Sequence, residues 1–323
     1  MARRGWSQDA LVTGVLAGDR KALARAISLV EDRSPEAEEI VRRLYPSTGR
    51  AESVGVTGPP GVGKSSLVSA LVAHVRGTSR TVGVVSVDPS SPFTRGALLG
   101  DRIRLADHFL DPDVFIRSMG TRGHLGGLAE ATLQAMLLVD ASGKDVVFLE
   151  TVGTGQSEVE VAGIADLVLL VLMPGSGDSV QALKAGIMEI PDVIVVNKMD
   201  HPAARTMVQE VRSIVALEPD RGRRPAILLT EALRGEGVPE LWDALEKRRG
   251  DLAERGELAI RRDRNLSGEI EALAVGRLRE RVRRAMENDA EVRTLVAGVQ
   301  RREIDPLTAV GALVDSVTGT ADA

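Results

Sequence analysis

One stretch of this chain constrains its fold more than any other. Gly58-Pro59-Pro60-Gly61-Val62-Gly63-Lys64-Ser65 fits the pattern G-x-x-x-x-G-K-[ST]; it follows an apolar run at residues 53–57 and precedes a helical pattern opening Ser66-Leu67-Val68. A buried strand, a glycine loop and a helix in that order form a cradle for a phosphate chain. The glycines let successive N–H groups curl round the anion at the positive end of the helix. Lys64 is a compact point charge suited to the β- and γ-phosphates, where the planar fork of Arg has the wrong shape. That choice is informative because Arg is the default cation here. Of 41 basic residues only six are lysines: Lys21, Lys64, Lys144, Lys184, Lys198 and Lys247. Ser65 offers a hydroxyl to Mg²⁺.

Further apolar runs occur at residues 81–87, 146–149, 167–173, 193–196 and 226–229, most of them separated by helical patterns. Continuous apolar strands alternating with helices predict an α/β fold, a mostly parallel sheet flanked by helices, with ligands at the carboxyl ends of the strands. Two of those ends are acidic: Val84-Val85-Ser86-Val87-Asp88 and Val146-Val147-Phe148-Leu149-Glu150. A carboxylate beside a triphosphate is repelled unless a cation lies between, so Asp88 and Glu150 point to Mg²⁺ or its waters. The Gly153 N–H is placed to sense a γ-phosphate, and residues 153–156 to rearrange when it leaves.

A second motif selects the base. Asn197-Lys198-Met199-Asp200 follows the strand at 193–196 in the pattern N-K-x-D. The Asp200 carboxylate can accept from guanine N1–H and the 2-amino group. Adenine offers no such pair, and mismatches of that kind reject a ligand by about 10⁴–10⁵. Lys198 can lay its stem over the purine, and Asn197 can tie this loop to the phosphate loop. Together the motifs indicate GTP and GDP rather than adenine nucleotides. After the last strand, Thr230-Glu231-Ala232-Leu233 lies where such proteins carry a short [ST]-A-x motif; the Ala232 N–H is positioned for guanine O6, and Glu231 replaces the usual small hydroxyl residue.

The chain then divides into a helical N-terminal extension (1–50), a P-loop GTPase domain (51–250) and a helical C-terminal arm (251–323). Ser34-Pro35 reads as an N-cap followed by Pro at the first helical position. In the arm, Ile270, Ala274, Leu278, Val282 and Met286 recur every four residues. Packing on the sheet domain and dimerisation are both open for this stripe. The absence of Cys excludes disulfides and Cys-ligated metal centres, and a net charge of −5 with 2% aromatics argues against nucleic-acid binding. No membrane span or signal segment is visible, which suggests a cytoplasmic protein. His74, His108, His124 and His201 are scattered without metal-ligand spacing, which disfavours a nickel-delivery GTPase.

The phosphate loop together with Val87-Asp88-Pro89-Ser90-Ser91-Pro92, Gly96-Ala97-Leu98-Leu99-Gly100-Asp101-Arg102, residues 117–127 (RSMGTRGHLGG), Glu150-Thr151-Val152-Gly153 and Asn197-Lys198-Met199-Asp200 resembles the methylmalonyl-CoA mutase-associated GTPases. This is the MeaB, methylmalonic aciduria type A or ArgK-like group. The resemblance spans nearly the whole chain. It implies a homodimeric GTPase that serves an adenosylcobalamin-dependent acyl-CoA mutase as a chaperone, gating cofactor loading. It also implies Asp88 and Asp101 at Mg²⁺ and the first switch, Glu150 and Gly153 in the second, and a third, partner-responsive switch from Gly175, Gly177 and Asp178 to Lys184. Thr154 departs from the Val of the family pattern. Asp101 or Glu150 is expected to position the attacking water, with Lys64 and the loop amides stabilising charge. No arginine finger is assigned: Arg102, Arg104, Arg117 and Arg122 read more simply as solvated loop cations. A transport-system kinase lacks an acceptor site here, and a nucleotide-gated scaffold with incidental hydrolysis is the non-enzymatic alternative. Lys21, Lys144 and Lys247 read as surface residues.

Overall fold

The computed structural model describes residues 6–88, 105–120, 127–151, 161–175, 191–220 and 222–318. Three helices come first: α1 (Gln8–Leu16), α2 (Arg20–Glu31) and α3 (Pro35–Leu44). Ser34 caps α3, its hydroxyl accepting from the Glu36 N–H, with Pro35 in the first turn and Glu36 and Glu38 at its positive end. The alternating part follows: β1 (Glu52–Thr57), α4 (Lys64–Gly77), β2 (Val82–Asp88), β3 (Val114–Gly120), α5 (Gly127–Ala141), β4 (Val146–Thr151), β5 (Leu167–Leu172), β6 (Val193–Val196), α6 (Ala204–Val215), β7 (Ala226–Leu229) and α7 (Val238–Glu254). The seven strands form one sheet in the order β3-β2-β4-β1-β5-β6-β7, and every pairing is parallel.

The two faces follow from the two-residue period of a strand. On β4, Val147 and Leu149 join α1, α2, α3 and α5 in one apolar cluster, while Val146 and Phe148 face α4 and α7 in another. A third cluster packs Leu170, Leu172, Ile194 and Val196 under α6. The N-terminal helices are therefore built into the sheet's own core: Leu23, Ile27, Ile40 and Leu44 are all within 1% of full burial. Burying one such side chain contributes roughly 1.5–3 kcal/mol.

Strand β3 does not stand out in the sequence. Val114-Phe115-Ile116-Arg117-Ser118-Met119-Gly120 mixes polar and apolar residues because it lies at the sheet's edge, where only part of it is buried. Arg117 also departs from a solvated loop cation. It pairs with Glu31 and donates to the Ser28 hydroxyl at 3.0 Å, tying β3 to α2. Lys144 is not on the surface either. It is 8% exposed and donates to the Asp113 carbonyl at 3.2 Å. Burial holds its ammonium below the usual lysine range.

The chain separates into two compact units, Met1–Leu266 and Ser267–Ala323. The sequence boundary at 250/251 falls inside the first unit, because the next helix, α8 (Glu257–Asn288), begins by gripping the sheet. Arg261 pairs with Asp192 at 2.6 Å, as Arg248 does at 3.3 Å, and Arg262 pairs with Asp166 at 2.6 Å. Both aspartates sit just before a strand, at the amino ends of β6 and β5. The second unit holds the rest of α8, α9 (Ala290–Gln300) and α10 (Pro306–Thr318). Along α8, Ile270, Leu278 and Met286 are 68%, 44% and 45% exposed in the single chain. Among the described residues no helix is long and apolar enough to cross a membrane.

Candidate functional site: a phosphate loop joined to a base loop

Three strand ends meet at the site. Strand β1 stops at Thr57, and Gly58 turns the chain out of the sheet with φ of 140°. A Cβ at Gly58 would lie 2.1 Å from the Val171 carbonyl oxygen on β5, so only glycine lets the loop leave at this point. Helix α4 starts at Lys64, earlier than the Ser66 suggested by the sequence, with Gly63 as its N-cap at φ of 94°. Lys64 and Ser65 thus occupy the first turn, where N–H groups lack helical partners. Lys64 is 7% exposed, and its Nζ donates to the carbonyls of Gly58 at 2.7 Å and Pro59 at 3.0 Å, which holds the ammonium across the loop.

The neighbouring strands bring oxygen atoms to this loop. Register pairs Ser86 on β2 with Glu150 on β4, and Glu150 with Val56 on β1. The Ser65 hydroxyl donates to Glu150 Oε1 at 2.5 Å, and the Ser86 hydroxyl reaches Oε2 at 3.4 Å. The hydroxyls of Thr57 and Thr151, at the ends of β1 and β4, are buried without partners. The Ser65 and Ser86 hydroxyls converging on the Glu150 carboxylate make a set of oxygen atoms, the donor chemistry a hard cation such as Mg²⁺ takes. Asp88 closes β2 by its backbone. Asp101, Gly153, Gly177, Asp178 and Lys184 lie outside the described residues, as does the Asp88 side chain. Ser86 escaped the sequence reading; its one signal is a hydroxyl in an otherwise apolar run.

The base loop is locked to the phosphate loop by one side chain. Asn197, 2% exposed, donates from Nδ2 to the Val62 carbonyl at 2.9 Å. Its Oδ1 accepts from the Thr230 hydroxyl and from the Ala232 N–H, each at 3.2 Å. The Met199 N–H donates to the Thr230 carbonyl at 3.0 Å. Residues 58–65, 197–200 and 230–232 therefore form one connected wall. Thr230 was missed from sequence because only the folded register turns it towards Asn197. The Ala232 N–H, expected from sequence to meet guanine O6, donates here to Asn197 Oδ1, and Leu233 is 84% exposed. Lys198 has φ of 59°, and its Nζ reaches the Gly61 carbonyl and the Met173 sulfur, both at 3.2 Å, so its stem runs beside the phosphate loop. Asp200 is exposed beyond it. Gly175, at φ of 76°, turns next to His201: a Cβ there would lie 3.8 Å from the imidazole.

The family model described as "Methylmalonyl Co-A mutase-associated GTPase MeaB" matches residues 23–287. The chain belongs to the MeaB family. A Pyrococcus abyssi relative is 44% identical over 315 residues, covering 96% of this chain and 97% of its own. The mouse protein named methylmalonic aciduria type A homolog, mitochondrial, is 35% identical over 279 residues, covering 79% and 66%. Among solved structures, a LAO/AO transport system kinase is 26% identical with a TM-score of 0.71, covering 98% of this chain and all of that one. The chain is accordingly a GTPase, an enzyme that hydrolyses GTP.

Proposed function

We propose that this chain is a Mg²⁺-dependent GTPase that couples GTP binding and hydrolysis to an adenosylcobalamin-dependent acyl-CoA mutase, with methylmalonyl-CoA mutase as the first candidate client. The observation that carries the nucleotide part is the Asn197 bridge, which joins a phosphate-binding loop to an N-K-x-D loop. The mutase part rests on the family description. In this reading the loop from Gly58 to Ser66 wraps the phosphates, and Asp200 accepts from guanine N1–H and the 2-amino group. Lys198 lines the purine, and residues 231–233 complete the base side.

In the reaction a water oxygen bonds to the γ-phosphorus, the bond to the β–γ bridging oxygen breaks, and GDP and phosphate leave. Charge builds on the γ-oxygens and the bridge, and Lys64 with the loop amides stabilises it in place. Ser65 and Glu150, with Asp88 and Asp101, would hold Mg²⁺, which neutralises phosphate charge when bound. Glu150 is the described carboxylate closest in role to a water-positioning group, and Gly153 its expected partner at the γ-phosphate. Gly175, Gly177, Asp178 and Lys184 would form the segment that answers the mutase. The exposed stripe Ile270, Leu278, Met286 suits a homodimer contact. The expected location is the cytoplasm.

The test is phosphate release from GTP and from ATP, each with and without methylmalonyl-CoA mutase. Turnover of GTP but not ATP, accelerated by the mutase, is expected. Equal rates with and without mutase would refute the coupling, and equal rates for the two nucleotides would refute the base assignment.

A further inference from the structure

Strand β2 carries one hydroxyl in its buried middle. Ser86 is 1% exposed, and Val82 and Val84, before it on the same face, pack in the apolar cluster under α4. Glu150 lies on the same face of β4, in line with Val146 and Phe148, and is 5% exposed. The register sets Ser86 directly beside Glu150 on the neighbouring strand. A hydroxyl buried there is unfavourable unless it finds an acceptor. The acceptor is the carboxylate: Ser86 Oγ reaches Glu150 Oε2 at 3.4 Å, while Ser65 Oγ, from the first turn of α4, donates to Oε1 at 2.5 Å. The two contacts are unequal. A hydroxyl donating to a carboxylate settles at about 2.5–2.7 Å, so the Ser65 bond is fully formed and the Ser86 contact is longer than that by about 0.7–0.9 Å. The carboxylate is drawn onto Ser65, with Ser86 standing behind it.

We propose that Ser86 is a positioning residue for Glu150: it is the donor that keeps the carboxylate oriented when Ser65 gives its oxygen to Mg²⁺. This rests on the assignment of Ser65 and Glu150 to the cation. The final torsion of a glutamate side chain is broad and roughly two-fold, so a carboxylate held at one oxygen only can still turn. Ser65 fixes that torsion in the structure as it stands. Its hydroxyl is also the group whose lone pair the cation takes, and it cannot be relied on for both tasks. Ser86 has no such second task. It sits at the opposite oxygen, on a strand joined to β4 along its length, where its hydroxyl stays within reach of Oε2 whatever Ser65 does. With Oε2 held from behind, Oε1 faces the α4 side, where the metal and its waters are expected. Outer partners of this kind orient the groups that meet a metal and strengthen its binding. The sheet itself has no use for the oxygen: alanine would fill the same place on β2.

The test is calorimetric titration of Mg²⁺ into the full chain saturated with GDP, for wild type, Ser86→Ala, Glu150→Gln and the double variant. Loss of a hydrogen bond to a charged group is expected to weaken Mg²⁺ binding by about fivefold to tenfold in Ser86→Ala. In the Glu150→Gln background the same substitution should change it by less than about twofold, because Ser86 acts through the carboxylate. Mg²⁺ binding by Ser86→Ala within about twofold of wild type overturns the inference. So does an equal loss in both backgrounds, which would make Ser86 a residue of the strand and not of Glu150. Should Ser86→Ala fail to fold, Ser86→Cys keeps the shape of the side chain with a much weaker donor and gives the same comparison. The Glu150→Gln arm separates the two assignments. If it binds Mg²⁺ as tightly as wild type, the reading of Glu150 at the cation is overturned; if it is weakened while Ser86→Ala is not, only the role of Ser86 falls.

Discussion

Replacing Asn197 by Ala should loosen the link between the phosphate loop and the base loop and destabilise the fold with it. The side chain makes three hydrogen bonds at a position 2% exposed: one donated to Val62 and two accepted, from Thr230 and Ala232. Alanine leaves a carbonyl, a hydroxyl and an N–H unpaired together. At roughly 1 kcal/mol net for each bond, the loss is about 3 kcal/mol. Thr230→Val is the internal control, because it removes only the hydroxyl donor to Oδ1 and should cost about 1 kcal/mol. In a unit of this size each kcal/mol lowers Tm by roughly 2–4 °C, so the expected drops are about 6–12 °C and about 2–4 °C. The assay is calorimetric melting without nucleotide, followed by GDP titration of each folded variant. Because the lost bonds join the two loops, Asn197→Ala should also bind GDP more weakly than Thr230→Val. Equal melting temperatures for the two variants would refute the picture of Asn197 as the bridge.

Other expectations follow from the same contacts. Lys64→Ala removes the ammonium from the phosphate loop and should lower GTP turnover by about 10²–10³, measured as phosphate release at saturating GTP. Asp200→Asn, which offers guanine an amide in place of a carboxylate, should weaken GDP binding at least about tenfold and favour xanthosine diphosphate, whose C2 carbonyl accepts from the new amide; titration of both nucleotides checks it. Asp192→Ala strands Arg248 and Arg261 and should destabilise the first unit by about 3–5 kcal/mol in denaturant unfolding. Lys144→Met removes a buried ammonium. Since the folded-state proton affinity of Lys144 is lowered, the unfolded chain binds that proton more tightly, and wild-type stability should rise relative to the variant as pH climbs through the alkaline range towards 10.5. A stability difference that does not change between pH 7 and 10 would contradict this.

The parts of the site that depend on local chain geometry were legible in the sequence. Glycines at 58 and 63, the lysine and serine that follow, and the N-K-x-D loop announce themselves because backbone conformation and short-range chemistry dictate those residue types. So did the fully buried strands, whose residues face apolar neighbours on both sides. Edge strand β3 was not legible, since a strand buried on part of its surface carries no continuous apolar run. Neither were the partners of Arg117 and Lys144, which come from helix α2 and from the turn before β3 and exist only in the folded chain. The root of α8 misled for the same reason: Arg261 and Arg262 look like ordinary surface charge until the aspartates before β5 and β6 are seen beside them. Glu231 was visible as a departure from the usual motif, but its burial, with one carboxylate oxygen left without a partner, emerges only in the folded chain.

Strand β6 has a mechanical consequence. It is four residues long, with Asp192 immediately before it and Asn197 immediately after it. Those two residues stand about 16 Å apart along an extended chain. At one end Asn197 is fastened to the phosphate loop; at the other Asp192 is fastened to Arg248 and Arg261. A strut this short, hydrogen-bonded on both sides to β5 and β7, has no slack to absorb a displacement. If the phosphate loop shifts with the state of its nucleotide, either the Asn197–Val62 bond gives way or the whole strut slides and pulls on the root of α8. The first turns of that helix are thus geared to the nucleotide site through a single rigid rod.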